Sequence, residues 1–468
     1  MAHGTDSPRR LPSLSRKTID ELGLLSLWQS PLDTKLLIAQ RFIRLFAYGG
    51  STLILASYLS ALDIADDRIG LFMTLTLVGD VAISFLLTLF ADAMGRRAVL
   101  GLGSALMVGS GVVFALSGNY WWLLTAAVLG VISPSGNEIG PFKAVEESTL
   151  AHLTPKEFLR DILLWYSLFG TAGTALGVMA CGWAINLLES GCGWEYIPAC
   201  RAIFLAYAAI GALKFVLSVS LSHKVEADNM TPKSKQQQQQ RTDETQPLLE
   251  NRNETRETQE QGRKSFLSFL GERDLVSLII RLFILFGLDS FASGLASLSW
   301  MTYFFKRKFS LPEGTLGSIF FTTSIIAAIS MLLASSIAKR IGNIKTMVFT
   351  HLPSAICLAL IPLFDLPLAL TLLILRACTQ NMDVAPRSAF LAAALPADKR
   401  TAIMGAINVV KTSTQSAGPL ITGVLADKGV FGASFTLAGV LKCVYDFGIL
   451  VSFLGLERER ERNEPGGV

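Results

Sequence analysis

The chain has 468 residues, of which 51% are hydrophobic and 17% are charged, and its formal net charge is +4. Its mean hydropathy of +0.47 reflects apolar residues gathered in long blocks, each near the roughly 20 residues that a membrane-spanning helix needs. These features exclude a soluble enzyme, a disordered chain, a secreted disulfide scaffold and a single-span receptor. The small, scattered charge gives no indication of nucleic acid as a partner.

Apolar blocks in chain order predict twelve membrane-spanning helices in two sets of six. The first six lie near 36–60, 69–90, 98–117, 120–141, 161–187 and 202–221. The second six lie near 275–303, 314–336, 346–364, 367–390, 402–425 and 431–455. The fifth block carries Gly170, Gly173 and Gly177, a spacing that indicates a face for close helix approach.

Polar segments divide the chain into domains. Residues 222–272 contain the run Gln236–Gln240 and too few apolar residues to fold, which predicts a disordered linker. The predicted domains are a cytosolic N-terminal tail at 1–35, an N-terminal bundle at 36–221, the cytosolic linker at 222–272, a C-terminal bundle at 273–455 and a cytosolic C-terminal tail at 456–468.

Basic residues predict the orientation of the chain in the membrane. Lys and Arg favour the cytosolic ends of spans, and pairs such as Arg96–Arg97 and Lys339–Arg340 lie on one side. This places both termini and the linker in the cytosol. The run Lys306–Lys308 after the seventh span is the exception, because it falls on the outer side.

The two halves of the sequence repeat each other. Residues 70–95 align without gaps to residues 317–342. Three further matches keep the same order along the chain, namely Arg44 with Arg281, Glu138 with Asp383, and Gly211–Lys214 with Gly439–Lys442. The pattern predicts two six-helix bundles that arose by duplication.

The loop between the second and third spans reads Leu89-Phe90-Ala91-Asp92-Ala93-Met94-Gly95-Arg96-Arg97. It resembles the signature loop of the major facilitator superfamily, which has an Asp, a Gly and paired basic residues at this spacing. Thr88 or a neighbour stands where the family has its first Gly, and Phe90 stands where it has Leu. In the second copy, Lys339 replaces Asp92 and Asn343 replaces Arg96.

The resemblance implies an all-α polytopic membrane protein with two pseudo-symmetric six-helix bundles and a central cavity. It implies a secondary transporter that works by alternating access, in which the loop residues Asp92, Gly95, Arg96 and Arg97 gate the bundles. The alternative for Arg96 and Arg97 is that they only fix the orientation in the membrane.

Ionisable residues inside spans cost about 2.5–3.5 kcal/mol each on insertion scales, so they need a function or a partner. In the superfamily, spans one, four, seven and ten line the cavity. The predicted substrate-binding residues are Arg44, Tyr48, Asn137, Asp289, Arg376, Gln380 and Asn381, together with Lys411. The predicted proton-coupling residues are Asp80, Glu138 and Asp383.

Two interpretations of these charges stay open. In the first they bind a polar or anionic substrate and a proton, and in the second they pair as fixed links between helices. The second fits the duplicated charges, Arg44, Arg281, Glu138 and Asp383. The first fits the charges without a counterpart in the other half, Asp80, Asp289, Arg376 and Lys411.

Two prolines and two glycines interrupt the fourth span within residues 133–141. The freed backbone groups need protein or water as partners, so Asn137 and Glu138 are candidate cavity residues. A kink that only shapes the bundle is the alternative.

Glu244, Leu248 and Leu249 in the linker have the spacing of an acidic dileucine sorting signal. Adaptor proteins would bind such a signal on the cytosolic side. This favours a vacuolar or endosomal membrane, with the plasma membrane as the other location.

The sequence therefore predicts proton-coupled transport of a small polar or anionic organic solute by an integral membrane protein, with monomers implied by the family resemblance. The four histidines lack metal-ligand spacing and no phosphate-binding loop occurs, so no cofactor, metal or enzyme activity is expected. The alternatives are a drug/proton antiporter that exports amphipathic compounds and a transporter-like receptor without net flux.

Overall fold

The computed structural model describes residues 24–130, 132–135, 141–226, 272–396 and 399–463. The regular structure in these ranges is helical, which confirms the predicted all-α class. The helices of the first half are α1 Leu24–Gln29, α2 Leu32–Ala61, α3 Asp66–Met94, α4 Arg96–Leu116, α5 Tyr120–Gly130, α6 Pro141–Leu153, α7 Lys156–Asn186 and α8 Tyr196–Val219. The helices of the second half are α9 Glu272–Leu295, α10 Leu298–Phe309, α11 Glu313–Ile341, α12 Asn343–Leu360, α13 Leu366–Thr379, α14 Val384–Ala394, α15 Arg400–Asp427 and α16 Gly432–Asn463.

Nine helical segments in the described part of the chain are long and apolar enough to cross a membrane. Three of the twelve predicted spans differ from uniform apolar helices. The fourth and tenth each form two short helices, α5 with α6 and α13 with α14. The eleventh, α15, is long but carries polar side chains from Asn408 to Ser416.

Hydrogen bonds from neighbouring helices stabilise the break in the fourth span. The Thr52 hydroxyl of α2 donates to the Ser133 carbonyl at 2.8 Å. The Ser299 backbone N–H of α10 donates to the Pro134 carbonyl at 3.3 Å. Irregular backbone at membrane depth is tolerated where protein satisfies its polar groups, so the prolines and glycines of this segment mark a real interruption.

The chain folds as two compact units. Unit 1 comprises the described residues within 1–65, 75–226 and 298–325, and unit 2 those within 66–74, 227–297 and 326–468. Each unit therefore includes a short stretch from the other half of the sequence. The start of α3 belongs to unit 2, whereas α10 and the start of α11 belong to unit 1.

Glycines bring α2 and α7 together in unit 1. A Cβ atom added at Gly173 would lie 2.6 Å from the Phe42 carbonyl oxygen, and one at Gly177 would overlap the Phe46 carbonyl. The glycine face predicted for the fifth span is therefore confirmed, because the backbones meet where side chains are absent.

A glycine also lets two helix backbones meet in unit 2. A Cβ atom added at Gly294 of α9 would overlap the Gln415 carbonyl of α15.

Apolar side chains from five helices form the core of this unit. They include Leu282, Phe286, Ile344, Leu391, Ile407, Ile449 and Phe453.

Besides the contacts at the break in the fourth span, each unit has a close contact between the two halves of the sequence near helix ends on the predicted outer side. In unit 1, a Cβ atom at Gly182 of α7 would overlap the Glu313 carbonyl of α11. In unit 2, one at Gly70 of α3 would lie 2.9 Å from the Gly423 Cα atom of α15. Small residues thus let helix ends from both halves touch.

The glycine contact between α2 and α7 predicts a matched pair of variants. Gly177→Ala should destabilise the protein by about 1–3 kcal/mol, because the added methyl group forces two backbones apart. Gly109→Ala should leave the melting temperature in detergent unchanged, since a Cβ atom there would meet nothing within 4 Å. Equal melting temperatures for the two variants would contradict the close α2–α7 contact.

Candidate functional site

A buried ion pair joins α2 to α6 in unit 1. Arg44 is fully buried on α2 and donates to both carboxylate oxygens of Glu146, at 2.5 and 2.9 Å. The Tyr166 hydroxyl of α7 donates to the same carboxylate at 2.7 Å. Bidentate, charge-assisted contacts of this kind are among the strongest hydrogen bonds in proteins. The Glu146 carboxylate therefore ties three helices together.

Aromatic rings lie against Arg44 and against two further cations in the same part of unit 1. The Lys214 ammonium and the Arg44 guanidinium lie 4.3 and 4.8 Å from the centre of the Phe142 ring. The Arg41 guanidinium lies 4.0 Å over the Tyr166 ring. Aromatic faces attract cations, and so help to hold these side chains. We call the group Arg41, Arg44, Glu146, Tyr166 and Lys214 the Arg44 cluster.

A second buried group of charges lies in unit 2. Lys442 of α16 donates to Asp289 Oδ1 at 2.6 Å and to the Ser293 hydroxyl at 2.8 Å, both on α9. Arg387 of α14 lies 3.6 Å from the other Asp289 oxygen and also pairs with Asp383, one helical turn earlier. The Asp289 carboxylate therefore links α9 to α14 and α16.

His351 of α12 completes this second group. Its Nδ1 atom lies 2.9 Å from Asp446 Oδ1 of α16, and its Nε2 atom lies 4.0 Å from Asp289 Oδ1. The Tyr445 ring packs edge-on against the imidazole, with 5.8 Å between ring centres. We call the group Asp289, His351, Asp383, Arg387, Lys442 and Asp446 the Asp289 cluster.

A carboxylate from a later segment of the chain binds the backbone of the signature loop. Gly95 takes a φ of +89° before the first residue of α4, a conformation that favours glycine. The Glu226 carboxylate accepts hydrogen bonds from the backbone N–H groups of Arg96 and Arg97, at 2.7 and 3.3 Å. These donors have no partner within the helix, so Glu226 caps α4. Gly342 takes a φ of +88° at the start of α12, which supports the internal repeat.

Backbone carbonyls hold the two loop arginines within unit 1. Arg96 donates from Nη1 to the Val225 carbonyl at 3.4 Å and from Nη2 to the Ser148 hydroxyl at 3.1 Å. Arg97 donates from Nη2 to the Val219 carbonyl at 2.8 Å. The side chain of Asp92 lies outside the described part of the chain.

Residues 222–226, placed in the disordered linker by sequence, are ordered against unit 1. The backbone N–H and the hydroxyl of Ser222 donate to the Asp33 carboxylate at 2.9 and 2.6 Å. A 3-10 turn follows at His223–Val225. Any disordered linker therefore begins after Glu226, because this side chain and Ser222 anchor the segment.

The sequence model of the Major Facilitator Superfamily matches residues 37–412 and, in a second match, residues 282–468. The chain belongs to this superfamily. It is also similar to the uncharacterized membrane protein YJR124C of Saccharomyces cerevisiae, with 36% identity over 433 residues. That match covers 91% of this chain and 95% of the yeast protein.

Solved structures of superfamily transporters share the fold. The nucleoside transporter NupG gives a TM-score of 0.64 at 14% identity, covering 90% of this chain and 99% of that one. The xylose transporter XylE of E. coli gives 0.63 at 15% identity, covering 88% and 94%. A bacterial homologue of the human lysosomal transporter Spinster gives 0.66 at 13% identity, covering 93% and 98%. These likenesses confirm an all-α, polytopic transporter fold and carry no information about the substrate.

The predicted substrate residues belong to both units and have different surroundings within them. Arg44 and Asp289 lie in the two clusters, and Tyr48 stacks on Tyr207 with 6.4 Å between ring centres. Lys411 lies 5.9 Å from the Phe286 ring centre beside the Asp289 cluster. Arg376, at the end of α13, lies beside Cys357 of α12 instead. Gln380 and Asn381 are half-buried in the turn between α13 and α14.

The described proton-coupling candidates, Asp80 and Asp383, differ in their surroundings within their own units. Asp80 is buried on α3, and its Oδ1 atom has no hydrogen-bond partner in the described part of the chain. Asp383 pairs with Arg387. Asn137 and Glu138, and the sorting residues Glu244, Leu248 and Leu249, lie outside the described residues. Within the described ranges, no group of His, Cys, Asp and Glu side chains is arranged to hold a metal ion.

The contacts favour fixed links for some charges and not for others. Arg44 is committed to Glu146, as that interpretation expects. Its counterpart in the repeat, Arg281, is exposed on α9, so the duplicated arginines do not share an environment. Asp289, which has no charged counterpart in the other half, is nevertheless paired with Lys442. Repeat symmetry therefore does not separate structural from functional charges here.

Sequence inspection missed three partners of these clusters. Glu146 lies beyond residue 141, where the fourth span was expected to end. Arg387 lies inside the tenth predicted span, and its spacing of four from Asp383 was the signal that would have found it. His351 had no local signal, because its partner Asp446 is far away in sequence.

The Arg44 cluster predicts different effects for two adjacent glutamates on α6. Glu146→Gln should cost about 3–5 kcal/mol of stability, because it leaves the buried Arg44 without a countercharge. Glu147→Gln should cost at most about 1 kcal/mol, since Glu147 forms only an exposed pair with Lys143 at 3.9 Å. Thermal unfolding of both variants in detergent measures the difference, and equal stabilities would contradict the assignment.

The cap at the signature loop predicts a local effect. Glu226→Ala should raise the hydrogen-exchange rates of the Arg96 and Arg97 amides by about tenfold or more, because it removes a charged acceptor from both. Glu195→Ala is the matched control, since Glu195 precedes α8 without a side-chain cap. Unchanged exchange at both amides would show that Glu226 does not cap α4.

Proposed function

We propose that this chain is a secondary active transporter that moves a small polar or anionic organic solute by alternating access, coupled to protons. Its membership of the Major Facilitator Superfamily and its transporter fold support the general class. Lys411, a half-buried cation without an ion-pair partner among the described residues, carries the specific proposal.

Lys411 lies on α15, the polar eleventh span, next to carboxylates that are already paired. Asp289 and Asp383 are within its electrostatic range. Asp289 binds Lys442, however, and Asp383 binds Arg387. Among the described ion pairs Lys411 has none of its own. A half-buried ammonium with committed neighbours is suited to a solute that brings its own negative charge.

Polar groups at the break in the tenth span support the same class of solute. Arg376 lies in the last turn of α13, and its Nε atom has no hydrogen-bond partner in the described structure. Gln380 and Asn381 follow in the turn before α14. Backbone breaks in transporter spans commonly border binding sites. A solute with hydrogen-bonding groups as well as charge would suit these residues.

Asp80 supports the proton-coupled part of the proposal. Its side chain is buried within α3, and no described cation forms an ion pair with it. Ionisable residues at membrane depth are expensive and are retained for function in transporters. Asp80 is therefore our candidate for a carboxyl group that binds and releases a proton as its surroundings change.

We also propose the membrane in which the protein lies and its orientation there. Both termini lie in the cytosol, because paired basic residues flank the spans on that side. The location is a plasma membrane or a vacuolar or endosomal membrane, with adaptor proteins bound through Glu244, Leu248 and Leu249. The transporter acts as a monomer.

Ligand-induced stabilisation of purified variants tests the role of Lys411. Organic anions that raise the melting temperature of the wild type should bind Lys411→Ala at least about tenfold more weakly, which corresponds to about 1.4 kcal/mol. Lys428→Ala is the matched control, because Lys428 is exposed just after the end of α15. Its ligand response should equal that of the wild type.

Two results would contradict the proposal. One is undiminished stabilisation of Lys411→Ala by the same anions. The other is a library in which only hydrophobic cations stabilise the wild type, which would support an exporter of amphipathic compounds. Uptake of a stabilising solute into proteoliposomes would separate transport from signalling without net flux.

A further inference from the structure

An imidazole–carboxylate pair is buried between α12 and α16. The His351 Nδ1 atom lies 2.9 and 3.0 Å from the two Asp446 oxygens. The side chains are 4% and 1% exposed. When Asp446 is ionised, its carboxylate only accepts hydrogen bonds, and the Nδ1 atom then carries the hydrogen. The Nε2 atom of a neutral His351 is then an acceptor.

The internal repeat shows that this pair occupies a duplicated position. Extending the aligned segments pairs His351 with Ser104, and Asp446 with Ser218. The hydroxyl oxygens of Ser104 and Ser218 lie 3.5 Å apart in unit 1. Their neighbour Lys214 aligns with Lys442. The two units therefore repeat the geometry, but unit 2 has an imidazole and a carboxylate where unit 1 has two hydroxyl groups.

Ionisable groups from four other helices surround His351 or the Asp289 carboxylate beside it. Asp446 and Tyr445 of α16 contact His351 directly, and Asp289 of α9 lies 4.0 Å from it. Lys442 of α16, Arg387 of α14 and Lys411 of α15 act electrostatically on Asp289, and Asp383 of α14 pairs with Arg387. On α13, Arg376 lies beside Cys357, nearly two turns further along α12. The nearest carboxylates and cations balance when His351 is neutral. They are Asp289, Asp383 and Asp446 against Arg387, Lys411 and Lys442.

We propose that His351 and Asp446 form a proton-binding site in unit 2, with the proton received on His351 Nε2. The proton converts the imidazole to imidazolium, and no other group needs to change. Asp446 holds the ring by Nδ1 and stabilises the added charge, as carboxylates commonly do for histidine. Asp289 Oδ1, at 4.0 Å from Nε2, is the second carboxylate that the new charge attracts.

Proton binding at this site changes the charges around Asp289, the carboxylate that links α9 to its neighbouring helices. The Asp289 carboxylate is bound to Lys442 of α16 at 2.6 Å and lies 3.6 Å from Arg387 of α14. An imidazolium on α12 adds a third cation that competes for the same carboxylate. Protonation therefore biases α9 toward α12. This link to solute movement rests on the proposed function, whereas proton binding itself does not.

Nitrogen NMR of histidine-labelled, full-length protein in nanodiscs tests the site without a solute. The chain has only four histidines, His3, His152, His223 and His351, and the signal lost in His351→Asn assigns the buried one. Its Nε2 signal should change from the neutral to the protonated form when the pH is lowered, and Asp446→Asn should alter that response. A His351 signal that keeps one form throughout would overturn the proposal.

Transport driven by an imposed pH gradient tests the coupling. His351→Asn keeps a donor for Asp446 but binds no proton, so accumulation should fall by about tenfold or more while solute exchange without a gradient stays within about twofold. His152→Asn, on the exposed face of α6, should behave like the wild type. Undiminished accumulation by His351→Asn would overturn the coupling role.

The two experiments test proton binding at His351 and the proposed transport function independently. If no solute is transported by the wild type, the proposed function fails, but the NMR titration still decides whether His351 binds a proton. If His351→Asn does not fold, His351→Gln and the assigned signals of His3, His152 and His223 identify the buried histidine by elimination.

Discussion

The cost of an unpaired charge inside the membrane is the constraint on which this structure depends. An isolated buried charge is expensive, and breaking one partner from a buried pair leaves that cost uncompensated. The chain meets the constraint separately in each unit, with Glu146 bound by Arg44 and Asp289 bound by Lys442. Each carboxylate receives cations or hydroxyls from more than one helix, so the charges also fix the helices relative to one another.

The broken spans supply partners for both clusters. Glu146 lies on α6 after the break in the fourth span, and Arg387 lies on α14 after the break in the tenth. A short helix that restarts within a span can direct a charged side chain inward. The interruptions thus bring Glu146 and Arg387 into the buried clusters, which composition alone does not show. Lys411 on polar α15 is a cation that these pairs leave without an ion-pair partner of its own among the described residues.

The sequence was sufficient for the class and the repeat but not for the site. Long apolar blocks and the Gly95-Arg96-Arg97 loop predicted an all-α major facilitator protein, because both signals are local. The repeat paired Arg44 with Arg281 as duplicated charges that fit fixed links between helices, yet of these two only Arg44 is buried. Pairs such as His351 with Asp446 depend on helix packing across most of the second half, so no spacing reveals them. Glu226 was missed because a polar, charged segment gave no indication of order.

A double-mutant cycle on Asp289 and Lys442 tests the pairing account most directly. Asp289→Asn and Lys442→Met should each lower thermal stability strongly, whereas the double variant should recover most of the loss, because neither charge is then left alone. Recovery of stability would support paired burial as the organising constraint. Losses that simply add in the double variant would contradict it.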